Sequence, residues 1–511
     1  MDQSTTMSKS RLQSQARRGA VGMLWVTVAL VFAKGLSFIS QIVLGHVLPV
    51  ETYAVFGLTA TAVAMIAGFQ NASISKALIQ SHDRFEELFP RYSAFAFQFG
   101  LLGAAILFGI GALFEQVYTT PELFAVIALT SFSVPFLAIN TTLIASLSIH
   151  YRFRDINLND IRRSIVYYSV LVGAALLGAD AYSMAIATVT GALVVHLLLL
   201  RLTGARPEYF ALRPREFIET FATLRWVLLS GFLVALAMRS DFFVVGKLLT
   251  MQELGFYTFG FMLVTSLTLP ISAGINQVLL PIFAKLQTEP EQLRQEVVHF
   301  ASAIVILGSA LCLLILGLSS VSIHLIWGGK WDGAHLVINV LVAAMPFRFL
   351  ATISGVGLES IGQWHRRNAI LAFEAALLLI CALVGGLWAG IEGAILGVVV
   401  QRALSGVLGL VLLGHQIGLA TDEIAALMTR LLAPFVVAAA LLFVVSPTRH
   451  GQDAGFAELG IAGVETLALL ALFLLLALLL NRPFILTVID LLHRRLRNRD
   501  PLSSTEGKAD D

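Results

Sequence analysis

The stretch IVLGHVLPVETYAVFGL (Ile42–Leu58) returns much later in the chain as FVVGKLLTMQELGFYTFGF (Phe243–Phe261). Setting Gly45 on Gly246, an offset of 201, also matches Leu48 with Leu249, Ala54 with Gly255 and Phe56 with Tyr257. Each copy ends one apolar helix at a glycine, makes a short connection, and starts the next helix with an aromatic. Duplications of this kind build membrane transporters from paired helical bundles. The two copies have the same sense along the chain, so the repeat is parallel rather than inverted.

Composition puts both copies in a membrane. The chain has 511 residues, 57% hydrophobic and 13% charged, with a mean hydropathy of +0.84. Soluble domains carry about 25% charged residues, and no soluble fold hides this much apolar surface. The two cysteines, Cys312 and Cys381, lie inside apolar runs and read as small buried hydrophobes rather than as a disulfide or metal framework.

A membrane span needs about 20 mostly apolar residues. Runs of that kind lie near 19–45, 53–75, 92–114, 122–148, 164–179, 181–203, 224–246, 254–280, 298–320, 334–358, 368–389, 391–414, 428–446 and 460–480. The expected fold class is therefore an all-α integral membrane protein with 14 transmembrane helices, arranged as two pseudo-two-fold-related six-helix lobes plus two C-terminal helices. The expected boundaries are a cytoplasmic N-terminus 1–18, an N-lobe 19–203, an interlobe linker 204–223, a C-lobe 224–414, a final helix pair 428–480, and a basic interfacial helix with a disordered tail over 481–511. The opening MDQSTTMSKSRLQSQARRGAVGMLWVTVALVFA (Met1–Ala33) reads as an uncleaved first helix, since more membrane follows it.

Charge supports this count. With the N-terminus in the cytoplasm, only Lys247, Lys330 and Arg449 of the 34 Lys and Arg fall in outer connections. Four more (Lys34, Arg239, Arg348 and Arg402) lie within spans, and the rest are cytoplasmic, as the positive-inside rule requires. A missed helix would invert the signs downstream. The longest cytoplasmic connection, Arg201–Arg225, reads as a linker with an amphipathic piece, PREFIETFATL, able to rest on anionic headgroups or to strap two bundles together.

Three runs carry a family likeness: SDFFVVGKLLTMQELGFYTFGF (Ser240–Phe261), LPISAGINQVLLPIFAKLQTEPEQL (Leu269–Leu293) and IHLIWGGKWDGAHLVINVLVAAMPFR (Ile323–Arg348), with VLGHVLPVETYAVFGL (Val43–Leu58) in the first half. Together they resemble the Wzx-like polysaccharide-transport branch of the multidrug/oligosaccharidyl-lipid/polysaccharide exporter superfamily. The resemblance spans roughly the first 415 residues. It implies a flippase in the bacterial inner membrane that moves a polyprenyl-diphosphate-linked oligosaccharide outward for surface or extracellular polysaccharide synthesis. Its expected partners are that lipid-linked oligosaccharide, membrane lipids, and a polysaccharide polymerase and chain-length regulator, with no nucleic acid.

Charges placed deep in the spans are the candidate functional residues, because a charge at the bilayer centre costs at least about 2.5–3.5 kcal/mol. The candidate substrate-contacting cations are Lys34, Arg239, Arg348 and Arg402. Lys34 plus the offset falls one helical turn from Arg239, so the two are expected to face one cleft from opposite lobes. Surplus positive charge between low-dielectric walls attracts anions, and arginine grips a diphosphate bidentately. Asp241 and Glu374 are the candidates for H⁺ or Na⁺ coupling; no other cofactor and no metal are expected. The structural alternative pairs these charges with one another, for example Asp241 or Glu374 with Arg402. On an unbroken helix Arg239 and Asp241 lie about 200° apart and would not meet.

Other polar groups within spans, among them Asn140 and His196, read as interhelical hydrogen bonds, and the glycines of GGLWAGIEGAILG (Gly385–Gly397) as close helix contacts. Two further transport readings share the architecture. A cation-coupled multidrug antiporter would place acids in the first lobe, where this chain has Lys34. A peptidoglycan-precursor flippase would carry a cluster of arginines in the first span. An enzyme is disfavoured, because the outer connections are short, the longest being Ser446–Glu458, and the chain has no Walker, metal-spacing or nucleophile motif.

Overall fold

A computed structural model describes residues 29–30, 32–80, 84–120, 122–150, 152–210, 212–445 and 456–481. The expected N-terminal segment 1–18, most of the outer connection Ser446–Glu458 and the basic tail beyond Asn481 lie outside the described residues.

Among the described residues the fold is helical throughout, without strand. The helices are α1 (Phe32–Val47), α2 (Val50–Gln80), α3 (Phe85–Tyr118), α4 (Leu123–Ser131), α5 (Val134–Ile149), α6 (Phe153–Leu176), α7 (Tyr182–Thr203), α8 (Pro214–Arg239), α9 (Asp241–Leu248), α10 (Met251–Lys285), α11 (Pro290–Trp327), α12 (His335–Ala343), α13 (Met345–Ser360), α14 (Trp364–Gln416), α15 (Thr421–Val445) and α16 (Phe456–Leu480). Among the described residues ten helical stretches are long and apolar enough to cross a membrane, or eleven if the bent pair Asp332–Ala343 and Met345–Ser360 counts as one span.

Local chemistry explains the breaks. Pro135 occupies the first turn of α5, where its missing N–H is harmless, so the apolar run 122–148 divides into α4 and α5. Pro346 plays the same part at the start of α13. α14 covers two of the apolar runs: Ala389 and Gly390 leave helical geometry, Gly390 at φ 58° and ψ −135°, so the backbone turns back on itself. The two arms then touch through glycines. A Cβ on Gly393 would strike the carbonyl of Gly385, and one on Gly397 would strike that of Cys381. The small residues of GGLWAGIEGAILG thus serve one hairpin.

The amphipathic piece PREFIETFATL forms the opening turns of α8. The connection before it is docked: the α3 side chain Gln98 donates to the carbonyl of Leu212 at 3.3 Å, and the Glu208 N–H donates to Ser93 Oγ at 3.3 Å.

The chain divides into two compact units. The first holds residues up to Pro270 together with Ile326–Ile338 and Asn368–Gln401. Its core joins α2, α3, α5, α7 and α8 through Leu78, Phe89, Phe95, Leu143, Leu199 and Leu228. The second holds Ile271–Leu325, Asn339–Arg367 and the chain from Arg402 onward. There Gly308 of α11 meets the Phe349 ring of α13, Gly317 meets Thr466 of α16, and the buried Cys312 thiol donates to the carbonyl of Val342 at 3.1 Å. Both cysteines are free thiols.

Candidate functional site

Three arrangements within the first unit bear on function. The first lies where α1, α3, α9 and α11 end. The last carbonyls of a helix have no partner inside it, and an unmet one in apolar surroundings costs about 1–3 kcal/mol. Around the end of α1 the carbonyls are met from the WGGKW segment. Trp327 Nε1 donates to Ile42 at 3.2 Å, Trp331 Nε1 to Gly45 at 2.9 Å, and Lys330 Nζ to His46 at 3.1 Å and Leu48 at 2.6 Å. Burial there pushes the Lys330 ammonium below the usual lysine range, opposed by Glu51. Trp331 is fully buried, stacked on Phe259 with ring centroids 3.8 Å apart and edge-on to Tyr53 at 4.7 Å.

The other copy of the repeat has a counterpart. Tyr118, the last residue of α3, donates its hydroxyl to the carbonyl of Phe243 at 3.3 Å, as Trp327, the last residue of α11, donates to Ile42. Ile42 and Phe243 are matching repeat positions, offset by 201. Lys247, which matches His46, donates to the carbonyl of Val117 at 2.7 Å. Glycine is required on both sides: a Cβ on Gly45 would enter the Trp327 indole, and one on Gly246 would lie 2.9 Å from the Tyr118 ring.

The second arrangement surrounds Arg239. Between α8 and α9 the backbone at Ser240 stays helical (φ −65°, ψ −23°), and the Ser240 hydroxyl donates to the carbonyl of Ala375 at 3.4 Å. The half-buried Arg239 guanidinium lies over the Phe261 ring at 5.2 Å and the Phe242 ring at 5.7 Å, and is attracted by Asp241. Asp241 is buried and accepts the hydroxyl proton of Tyr257. Arginine over aromatic faces gains about 0.5–2 kcal/mol per desolvated contact.

The third surrounds Lys34 of α1. It is half-buried, and the charge closest to it in effect is another cation, Arg163 of α6. Arg163 has one ion-pair contact, Nε to Asp160 Oδ1 at 3.5 Å, with both side chains largely exposed; such pairs contribute about 0–1 kcal/mol. Next to Arg163 the walls of α5, α6 and α7 enclose a cavity of about 240 Å³, lined by Asn140, Ser164, Tyr167, Tyr168 and Thr188 among others. Asn140 is fixed at its edge: Nδ2 donates to the carbonyl of Ala192 at 3.2 Å, and Oδ1 lies 2.8 Å from His196 Nδ1. That nitrogen therefore carries the proton, and His196 Nε2, 2.9 Å from the Tyr209 hydroxyl, accepts from it. His196 is the packed histidine expected of it, and it ties the docked linker to the cavity wall.

Sequence reasoning missed Arg163 by counting it in a cytoplasmic connection, whereas α6 begins ten residues earlier at Phe153. The signal was the run DIRRSIVYYS, in which basic residues lead directly into aromatics and hydroxyls one helical turn on. Of the remaining candidates, Glu374 is half-buried on the first arm of α14, its carbonyl accepting from Gln401 Nε2 at 3.3 Å. Arg348 and Arg402 belong to the second unit and are both half-buried, Arg348 one turn into α13. Lys34, Arg239, Asp241 and Glu374 all belong to the first. Among the described residues no three His, Cys, Asp or Glu side chains are grouped as metal ligands.

Comparison with known proteins gives a consistent set of likenesses. The family model described as polysaccharide biosynthesis protein matches residues 43–336. The chain is 26% identical over 206 residues to the teichuronic acid biosynthesis protein TuaB of Bacillus subtilis (strain 168), covering 39% of this chain and 41% of that protein. It is 20% identical over 396 residues to the lipopolysaccharide biosynthesis protein WzxC of Escherichia coli (strain K12), covering 76% of this chain and 79% of that protein. Among solved structures, the lipid II flippase MurJ in an inward closed conformation superposes with a TM-score of 0.70 at 12% identity, over 90% of this chain and all of that one. An inward-facing multidrug resistance MATE transporter of the MOP superfamily gives 0.57 at 14% identity, over 77% of this chain and 98% of that one. These structural likenesses concern the fold.

Proposed function

We propose that this chain, which belongs to the polysaccharide biosynthesis protein family in the Wzx-like branch of the multidrug/oligosaccharidyl-lipid/polysaccharide exporter superfamily, flips a polyprenyl-diphosphate-linked oligosaccharide across the bacterial inner membrane. It does so by alternating access and is not an enzyme. The observation that carries this reading is the half-buried Lys34 of α1, a cation within a membrane span of the first unit. A cation in such surroundings calls for an anion or water beside it, and a diphosphate is such an anion. A cation-coupled drug antiporter would need acids where this chain has this base.

In this reading fourteen crossings follow from taking α4–α5 and α8–α9 as single spans, α12–α13 as one bent span, α14 as two, and α1 as the end of the first run. Both termini are cytoplasmic, and the repeat defines two six-helix lobes with the boundaries expected from sequence; the paired contacts at Ile42 and Phe243 support that symmetry. The ends of α1 and α9 then lie at the outer face, and their contacts seal it. Lys34, Arg239, Arg348 and Arg402 are the candidate phosphate contacts, Arg239 by exchanging Asp241 for phosphate. Asp241 and Glu374 are the candidate H⁺ or Na⁺ sites. A polymerase and a chain-length regulator act on the product outside.

Gene deletion with complementation tests this. Deletion should make a lipid-linked oligosaccharide accumulate on the inner leaflet, and the wild-type gene should clear it. Lys34→Ala, expressed at normal level, should leave it accumulated, while Lys34→Arg should restore most export. Full export by Lys34→Ala would remove the cationic mechanism. Absence of any accumulated lipid-linked glycan would remove the function.

A further inference from the structure

The cavity between α5, α6 and α7 is a candidate for more than a gap in the packing. Its volume of about 240 Å³ falls below the roughly 300–1,000 Å³ of pockets that take drug-sized ligands, so it is too small for an oligosaccharide and suited to a single ring. Its lining combines aromatic faces, Tyr167 and Tyr168, with the neutral hydrogen-bonding groups of Asn140, Ser164 and Thr188. Only one lining residue is charged, Arg163. Aromatic faces with neutral donors and acceptors bind the C–H faces and hydroxyls of a sugar; a guanidinium at the edge binds a phosphate attached to it.

The polar groups are held in place yet have capacity left. The Thr188 hydroxyl donates to the carbonyl of Met184 at 2.7 Å and the Ser164 hydroxyl to that of Asp160 at 2.8 Å, leaving both oxygens as acceptors, and the Tyr167 ring stands edge-on to Tyr168 with centroids 5.1 Å apart. Asn140 spends one amide N–H on Ala192 and one oxygen lone pair on His196, which leaves a second N–H and a second lone pair by the ordinary inventory of an amide. Arg163 makes a single contact to Asp160 and keeps further N–H groups. Gly191 makes the room: the nearest atom to a Cβ built there is Tyr167 Cδ2 at 3.8 Å, so a longer side chain would extend into the cavity without striking backbone.

We infer that this cavity binds the glycosyl phosphate at the reducing end of the cargo, with the sugar ring among Tyr167, Tyr168, Asn140 and Thr188 and its phosphate on Arg163. The inference rests on the flippase reading and deepens it, because it makes the first sugar, not only the diphosphate, a determinant of what is carried.

The test uses the purified full chain in nanodiscs and measures binding of glucose 1-phosphate, inorganic phosphate and methyl glucoside by calorimetry. Glucose 1-phosphate should bind at least about tenfold more tightly than either fragment, a difference of about 1.4 kcal/mol, and undecaprenyl diphosphoglucose in the nanodisc should compete with it. Arg163→Gln should weaken it about tenfold, Gly191→Leu should abolish it, and Arg162→Gln should leave it unchanged. Binding of all three probes with equal affinity, no competition by the lipid-linked sugar, or wild-type affinity in both Arg163→Gln and Gly191→Leu would overturn the inference. Because the readout is binding, no glucose 1-phosphate binding by a chain that still exports glycan sinks this site and leaves the flippase standing. Binding by a chain that exports nothing sinks the flippase instead.

Discussion

Gly57 of α2 and Thr258 of α10, matching positions of the internal repeat, touch each other: a Cβ built on Gly57 would overlap Thr258 Oγ1. A residue that meets its own repeat partner lies next to the axis relating the two copies. The approach is close because Gly57 has no side chain and its neighbours across the seam, Thr258 and Phe242, are both buried.

Gly57→Val should therefore be strongly disruptive. The added atoms run into Thr258 and, at 2.8 Å, into Phe242, and overpacking of this kind costs about 1–3 kcal/mol. Thr258→Ala, which removes a buried hydroxyl with no hydrogen-bond partner, should be neutral or mildly stabilising alone and should recover part of the Gly57→Val loss. Melting of the detergent-solubilised protein, followed by loss of the monodisperse peak, provides the double-mutant cycle. Strict additivity of the two changes would show that the residues do not meet.

The contacts around the end of α1 lead to a prediction about conformation as well as stability. Trp331→Phe keeps an aromatic ring against Phe259 but leaves the Gly45 carbonyl without its 2.9 Å donor, a loss of about 1–3 kcal/mol. Lys330→Met removes the donor to His46 and Leu48. If these contacts seal the outer face, weakening them populates the outward-open state. A His46→Cys reporter in whole cells should then react faster with an impermeant maleimide when Lys330→Met is added, by roughly the fivefold to tenfold that about 1–1.4 kcal/mol implies. An unchanged rate would separate these contacts from gating.

The all-helical, membrane-type fold was legible because lipid leaves a sequence few options: apolar runs of the right length must be helices. The duplicated stretch was legible for a related reason, since close helix approach demands glycine at Gly45 and Gly246 in both copies. Bends were not. Nothing in the period of GGLWAGIEGAILG says that α14 turns back at Ala389 and Gly390. Arg163 was missed because hydropathy marks where a helix becomes apolar, not where it begins, and α6 begins well before its apolar part. The docking of the linker was not legible because its anchors Ser93 and Gln98 lie far away in sequence and have no local signature.

Arg239 can be held by its surroundings or reserved for cargo, and the two roles leave different thermodynamic signatures. Breaking a buried charge pair by removing one partner costs about 3–5 kcal/mol, whereas replacing both partners together is far milder. Arg239→Gln leaves the buried Asp241 with Tyr257 but no guanidinium, so it should lower the melting temperature sharply. Asp241→Asn in the same chain should recover most of that loss. Export should divide differently: if the guanidinium also meets phosphate, the double variant should be stable yet export at least about tenfold less, and Arg239→Lys with Asp241 intact should recover only part of the flux, because an ammonium lacks the bidentate fork. A stable double variant with normal export would assign Arg239 to packing and leave Lys34 and Arg163 as the phosphate-binding groups of the first unit.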